Sequence, residues 1–259
     1  MDFKQTSIKD IEDYIYRLKK EMKGGFFTNY FKPSIYCSLL FTGSDDESIV
    51  FRDEDTDFFR LYFYSIGLKS LPSLIKGVTI SPMVVDYISK EPPGKIERIF
   101  FEAGFEKYAV LQRMINNNLR RLQRVEPLLF AEEEEWRMVM EKLNTGLDKY
   151  TGHFPQKEEL VNLIRNKRIL VTRKNNEITG LIMYQITEKK CNFNQWYSAK
   201  DNDPMDGANL LVNMYALLDE MGIRSGFMWV NEKNTPVIKI HQRFGFKPNG
   251  LKDYVYLKK

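Results

Sequence analysis

The sequence is short of the residues that most often carry cross-links and metals. Two cysteines, Cys37 and Cys191, stand far apart in 259 residues and show no metal-ligand spacing. That argues against a disulfide framework or a zinc cluster, and two buried thiols in a reducing cytosol are expected. No apolar run approaches the roughly 18 residues that a membrane helix needs. The start, MDFKQTSIKD, lacks the apolar core of a secretion signal. The formal charge is only +4, which argues against nucleic acid as the primary partner. These absences leave a cytoplasmic protein with no membrane contact.

What is present suits a folded core. Hydrophobic residues make up 43% and charged residues 29% of the chain, enough for one large domain or two smaller ones. Aromatic residues reach 14% and cluster in runs such as Leu61-Tyr62-Phe63-Tyr64.

The first half opens with an amphipathic helix over Ile8 to Met22, which puts Ile11, Tyr14, Ile15, Leu18 and Met22 on one side. Gly24-Gly25 ends it. Three aromatic or β-branched runs follow, at Ser34–Phe41, Ser48–Arg52 and Phe58–Ile66, joined by short polar turns. They predict an antiparallel meander. A short helix from Leu68 to Ile75 follows, with Pro72 near its start. Val84–Ile88 suits either strand or helix, Ile96–Ala103 a helix, and Tyr108–Leu111 a strand.

The second half predicts a strand at Val125–Phe130 and a helix at Glu132–Leu147. Four glutamates open that helix, where they favour the positive end of its dipole; this accounts for them structurally, and no metal site is expected. A second helix at Gln156–Asn166, a hairpin of Arg168–Thr172 and Ile178–Ile186 turning at Lys174-Asn175-Asn176, and a strand at Asn192–Ser198 follow. A polar loop leads to a long helix, Ala208–Met221. The end of the chain reads GFMWVNEKNTPVIKIHQRFGFKPNGLKDYVYLKK from Gly226. It predicts a buried strand at Phe227–Val230, an Asn-capped helix begun by Thr235-Pro236, and a closing strand at Tyr254–Leu257. Val237, Ile240 and Phe244 form that helix's apolar face, and Gly245 ends it.

Strand, Asn-capped helix, Gly-Phe, strand resembles the closing segment of the GNAT (Gcn5-related) acyltransferases. The residues that carry the resemblance are Asn231, Asn234, Val237-Ile238, His241 and Gly245-Phe246. In the first half, Ile99-Phe100-Phe101-Glu102-Ala103-Gly104-Phe105 lines up with Ile240 to Phe246 at a constant offset of 141. The chain therefore reads as a tandem of α+β (α/β/α) units, each a mixed, mostly antiparallel sheet flanked by helices. Residues 1–118 would be a degenerate GNAT-like unit, with Phe100 in the place of His241. Residues 119–259 would be the acyltransferase unit, joined near Asn116-Asn117-Asn118. Arg120, Arg121 and Arg124 beyond the join read as a solvated face.

The resemblance implies a notch between two central strands that takes acetyl-CoA or another acyl-CoA, on Trp196, Tyr197, Ser198, Met205, Asp206, Gly207, Ala208, Asn209, Asn231 and Asn234. Helix amides would cradle the pyrophosphate. The family's usual loop, Gln or Arg, two residues, Gly, one residue, then Gly or Ala, falls on Asn202, Met205 and Gly207, so only the last glycine survives, and Asp201, Asp203 and Asp206 face a single Lys200. His241 stands where the family usually has a tyrosine that protonates the departing thiolate; an imidazole with an ordinary pKa of about 6.5 can donate or accept a proton there. His153, in the loop before the second helix, is the candidate contact to substrate. The implied reaction is direct attack by an amine of a small molecule or peptide on the acyl group. The alternatives are a non-catalytic binding module, and an acyltransferase fed by a carrier protein or aminoacyl-tRNA.

Overall fold

The computed structural model describes residues 3–29, 40–54, 57–119, 122–199 and 204–259. Cys37, Arg120, Arg121 and Lys200 to Asp203 lie outside them, as does most of the predicted strand before Leu40. The chain divides into two compact units, Met1–Leu111 with Leu251–Lys259, and Gln112–Gly250. A split at residues 118 and 119 was expected; the structure instead assigns the last nine residues to the first unit.

The first unit contains β1 (Lys4–Thr6), α1 (Ile8–Glu21), β2 (Phe27–Thr28), β3 (Leu40–Ser44), β4 (Ser48–Glu54), β5 (Phe59–Ser65), α2 (Leu71–Lys76), β6 (Met83–Ser89), α3 (Lys95–Glu102) and the start of β7 (Glu106–Asn116). Ser7 caps α1 through a reciprocal box with Asp10: its hydroxyl accepts from the Asp10 amide, and the Asp10 carboxylate accepts from the Ser7 amide. Strands β3, β4 and β5 form the expected antiparallel meander. The ambiguous run Val84–Ile88 is strand, and β6 pairs parallel to β5. Residues alternate between two cores: Ile49, Phe51 and Tyr64 meet Ile11, Ile15 and Leu18 of α1, while Val50, Leu61 and Phe63 meet α2 and α3.

The second unit contains a 3-10 turn (Glu133–Glu135), α4 (Trp136–Gly146), α5 (Lys149–Gly152), α6 (Lys157–Arg165), β8 (Ile169–Lys174), β9 (Glu177–Thr187), β10 (Lys190–Ser198), α7 (Pro204–Glu220), β11 (Ser225–Asn231) and α8 (Thr235–Arg243). Strands β8, β9 and β10 are antiparallel, and β11 joins β10 in parallel. The β8–β9 turn has Asn175 and Asn176 at φ 53° and 64°, the primed geometry that asparagine tolerates. Helices α7 and α8 cover one face of this sheet, and α4 and α6 the other.

One expected strand is not formed. Val125–Phe130 leaves only an isolated bridge, Phe130 to Leu170. The Asn213 side chain accepts from the Val125 amide at 3.0 Å, and Pro127 has no N–H to give a ladder. The last strand, β12 (Lys247–Lys258), runs antiparallel to β6 from Lys252↔Ser89 to Lys258↔Met83. The end of the second half is thus part of the first unit's sheet.

The repeat seen in the sequence is repeated in geometry. Gly104 and Gly245 have φ of 87° and 90°, a left-handed conformation that glycine adopts without strain. After each, the phenylalanine amide turns back to the same helix position, Phe105 to the Phe100 carbonyl at 3.0 Å and Phe246 to the His241 carbonyl at 3.1 Å.

Candidate active site

In the second unit β10 and β11 pair only from Lys190↔Ser225 to Phe193↔Met228. Strand β10 runs on to Ser198 and β11 to Asn231, so their facing edges part beyond that point. The β9–β10 register shifts between Phe193 and Gln195, a bulge that re-aims the strand at the opening. Asn194 and Gln195 stand at the bulge, with Trp196, Tyr197 and Ser198 beyond it.

The predicted residues divide into those that gather at this opening and those that do not. Gly207, in the first turn of α7, packs over the end of β10: a Cβ there would lie 3.3 Å from Ser198 Oγ and 3.8 Å from Trp196 Cζ2. Asp206 shares that turn, Met205 is 60% exposed, and Ala208 is exposed on the same helix. The Asn209 side chain is directed elsewhere, donating to Glu126 at 2.8 Å. Asn231 and Asn234 act on their own turn: Asn231 Oδ1 accepts from the Lys233 amide at 3.0 Å, and Asn234 caps α8 through the Val237 amide. Tyr197 turns to the opposite face, where a Cβ on Gly146 would overlap its ring.

His241 is buried at 4% exposure. Its ring stands edge-on to Trp196 with centroids 5.5 Å apart, and 5.8 Å from Phe246. Burial among aromatic rings lowers its pKa from 6.5 to about 4, because no neighbour compensates the lost hydration of the charged form. The ring is therefore neutral at physiological pH, and the imidazolium considered from sequence is not its resting state. His241 Nδ1 and Trp196 Nε1 are buried without hydrogen-bond partners. Two such orphans side by side mark a place where a polar ligand would gain hydrogen bonds.

His153 caps the end of α5 with φ 46° and is exposed. Its loop is tied to the bulge, since Gln195 Nε2 donates to the Gly152 carbonyl at 2.6 Å. Sequence reasoning passed over Asn194 and Gln195. A bulge leaves no pattern in hydropathy, although the polar triplet Asn192, Asn194, Gln195 in an otherwise apolar strand was its one visible trace.

The first unit opens in the same way and is closed by its own chain. Strands β5 and β6 pair only from Phe59↔Met83 to Leu61↔Val85. The edge of β5 that β6 leaves is taken by β2, pairing Phe27↔Ser65 and Thr28↔Tyr64. Asn29 extends the seal: its amide donates to the Leu61 carbonyl and accepts from the Phe63 N–H, both at 2.8 Å. Phe63 stacks on Tyr87 and meets Phe100 edge-on.

No protein-family model matches the chain, and no curated protein matches it. Solved structures do match in fold. A tandem GNAT protein from the clavulanic acid biosynthesis pathway superposes with a TM-score of 0.58 at 12% identity, over 99% of this chain and 97% of that one. A GNAT-family acetyltransferase from Colwellia psychrerythraea matches over the whole of both chains, with a TM-score of 0.55 and 13% identity. A GCN5-related N-acetyltransferase from Sphaerobacter thermophilus matches 83% of this chain and 82% of its own, with a TM-score of 0.56 and 14% identity. The chain has the GNAT fold, in tandem arrangement.

Proposed function

We propose that the chain is an acyl-CoA-dependent N-acyltransferase whose working unit is the second one, Gln112–Gly250, with the first a degenerate unit that holds no cofactor. The observation that carries this reading is the opening between β10 and β11, which has a bulge on one strand and the Gly207 turn of α7 over its end. The unpaired edges of β10 and β11 offer backbone groups to an amide-bearing arm, and Trp196 Nε1 and His241 Nδ1 offer two more polar contacts. The missing Cβ of Gly207 lets the first turn of α7 pack close on Ser198, and the first amides of α7 would offer a phosphate its hydrogen bonds. An acyl thioester bound there would supply an activated acyl carbon. The residues' own work is then to align an amine, keep water out, and direct an edge N–H at the carbonyl oxygen. The neutral His241 takes part as a hydrogen-bond partner, and the leaving thiolate takes its proton from another group or from water.

The burial of His241 favours a second reading, a non-catalytic binding module, because it removes the one candidate acid. Calorimetric titration with acetyl-CoA of the wild type and Gly207→Arg separates the two. Micromolar binding abolished by the substitution, with thiol release in the presence of amines, is the expected outcome. Binding without thiol release supports the binding module, and no heat at millimolar acetyl-CoA leaves a carrier-bound donor or no donor at all.

A further inference from the structure

Arg113 stands out among the half-buried arginines of the second unit. Its Nε is buried without a hydrogen-bond partner, and no carboxylate faces it among the described residues. Its guanidinium carbon sits 5.8 Å from the centre of the Phe227 ring. Arg173 and Arg224 in the same unit are instead paired with Glu135 and Asp219. An enclosed Nε–H without an acceptor is a donor that a ligand oxygen would satisfy.

Strand alternation fixes the face on which Arg113 lies. Met114, Met228 and Val230 belong to the core under α7 and α8. Arg113, Phe227 and Trp229 therefore lie on the other face, toward α4 and α6. Phe227 is the last residue of this face within the β10–β11 ladder, opposite Asn192, and Trp229 is the first beyond it. Arg113 thus lies on β7, next to β11, on the face opposite to the one that carries Trp196 and His241.

Gln195 shares this face. It is 8% exposed, and its amide nitrogen is committed to the Gly152 carbonyl. A carbonyl only accepts, so the Gln195 nitrogen must be the donor and Oε1 is left as a buried acceptor without a partner. An acceptor oxygen on β10 and an enclosed guanidinium N–H on β7, on one face of the sheet, suit a molecule with an N–H donor at one end and an anion at the other.

We propose that the acyl acceptor is an amine that also carries a carboxylate, with Arg113 binding the carboxylate and Gln195 Oε1 orienting the amine. This rests on the acyltransferase reading above. A single guanidinium matches a monoanion, and its planar fork fits a carboxylate in two parallel hydrogen bonds. Phe227 and Trp229 give the acceptor's carbon skeleton an apolar wall.

The test uses the full chain and three pairs of amines that differ only in the carboxylate: phenylalanine and phenethylamine, leucine and isoamylamine, lysine and cadaverine. Thiol release from acetyl-CoA is measured with each, and binding of the corresponding N-acetyl compounds is measured by calorimetry without acetyl-CoA. The expected result is that in at least one pair the carboxylate-bearing member is the better substrate and the better ligand. Arg113→Gln then lowers kcat/KM and affinity for that member roughly 10- to 100-fold while leaving its decarboxylated counterpart unchanged, and Arg113→Lys keeps part of the effect. Equal loss for both members of each pair, or no carboxylate preference in the wild type, overturns the proposal. Acetyl-CoA binding measured alongside keeps the two readings apart. If acetyl-CoA binds and the carboxylates show no Arg113 dependence, the acceptor class is wrong and the acyltransferase reading stands. If acetyl-CoA does not bind but N-acetyl amino acids bind through Arg113, the anion site stands and the acyltransferase reading falls.

Discussion

The protonation of His241 has consequences that can be worked through. In the unfolded chain its imidazole titrates near 6.5, and in the folded protein burial lowers this to about 4. A lowered histidine pKa means that the unfolded state binds the proton more tightly. Stability is therefore intact above pH 6.5 and is lost as pH falls from 6.5 toward 4. The full loss is about 3 kcal/mol, of which about 2.5 kcal/mol is already gone at pH 4.5.

The His241→Phe substitution removes the titration and leaves an aromatic ring. The first half shows that a phenylalanine fits the equivalent place, since Phe100 is fully buried there. Urea denaturation at pH 7.5 and pH 4.5 should show the wild type losing ~2.5 kcal/mol more than the variant. Imidazole proton resonances give an independent reading, because the chain has two histidines and the variant identifies which signal belongs to His241. That signal should move with a midpoint near 4. A midpoint at or above 6.5, together with parallel stability losses, would falsify the account and return the imidazolium as a candidate acid.

Two further predictions concern the framework. Replacing Asn29 with Ala leaves the Leu61 carbonyl and the Phe63 N–H buried and unpaired, and urea denaturation should show a loss of about 2 to 4 kcal/mol; a change under about 0.5 kcal/mol means that water replaces the side chain. Glu135 bonds Arg173 through two contacts of 2.9 and 2.6 Å, and the arginine holds its carboxylate below the ordinary value. That stabilisation is present above about pH 4.5 and fades as pH falls through the lowered pKa. Arg173→Met should cost about 1 to 2 kcal/mol at pH 7 and less at pH 3, and an equal cost at both pH values would assign it to lost packing alone.

The parts of the fold visible in sequence are those with local causes. Helix α1 shows a three-four apolar spacing behind a Ser-Asp box, and α8 is announced by Asn234 and Pro236. The repeated Gly-Phe turn was legible because only a small set of residues accepts φ near 90°. Val125–Phe130 misled because an apolar run predicts burial, while its backbone partner is a side chain 88 residues away at Asn213. Strand β2 is two residues long, too short for any period to register. The assignment of β12 to the first unit depends on which parallel ladder offers a free edge, and nothing in Tyr254–Leu257 itself specifies that. Of the residues proposed for the site, Gly207 and His241 stand out through motif position, whereas Arg113 and Gln195 become visible only when strand faces and missing partners are known.

The two units show what separates a closed opening from an available one. Each has a parallel pair of strands that parts after three or four residues. In the first unit β4 and β5 pair without a register shift, the helix after the opening strand is six residues long, and β2 with Asn29 takes the freed edge. In the second unit the bulge turns the strand, the corresponding helix is 17 residues long, and the buried polar atoms near the opening lack partners. The strand edge freed in the first unit is filled by that unit's own backbone and by Asn29. A strand edge filled by its own chain has no free backbone groups for a ligand, so the proposed cofactor is expected at the second unit's opening alone.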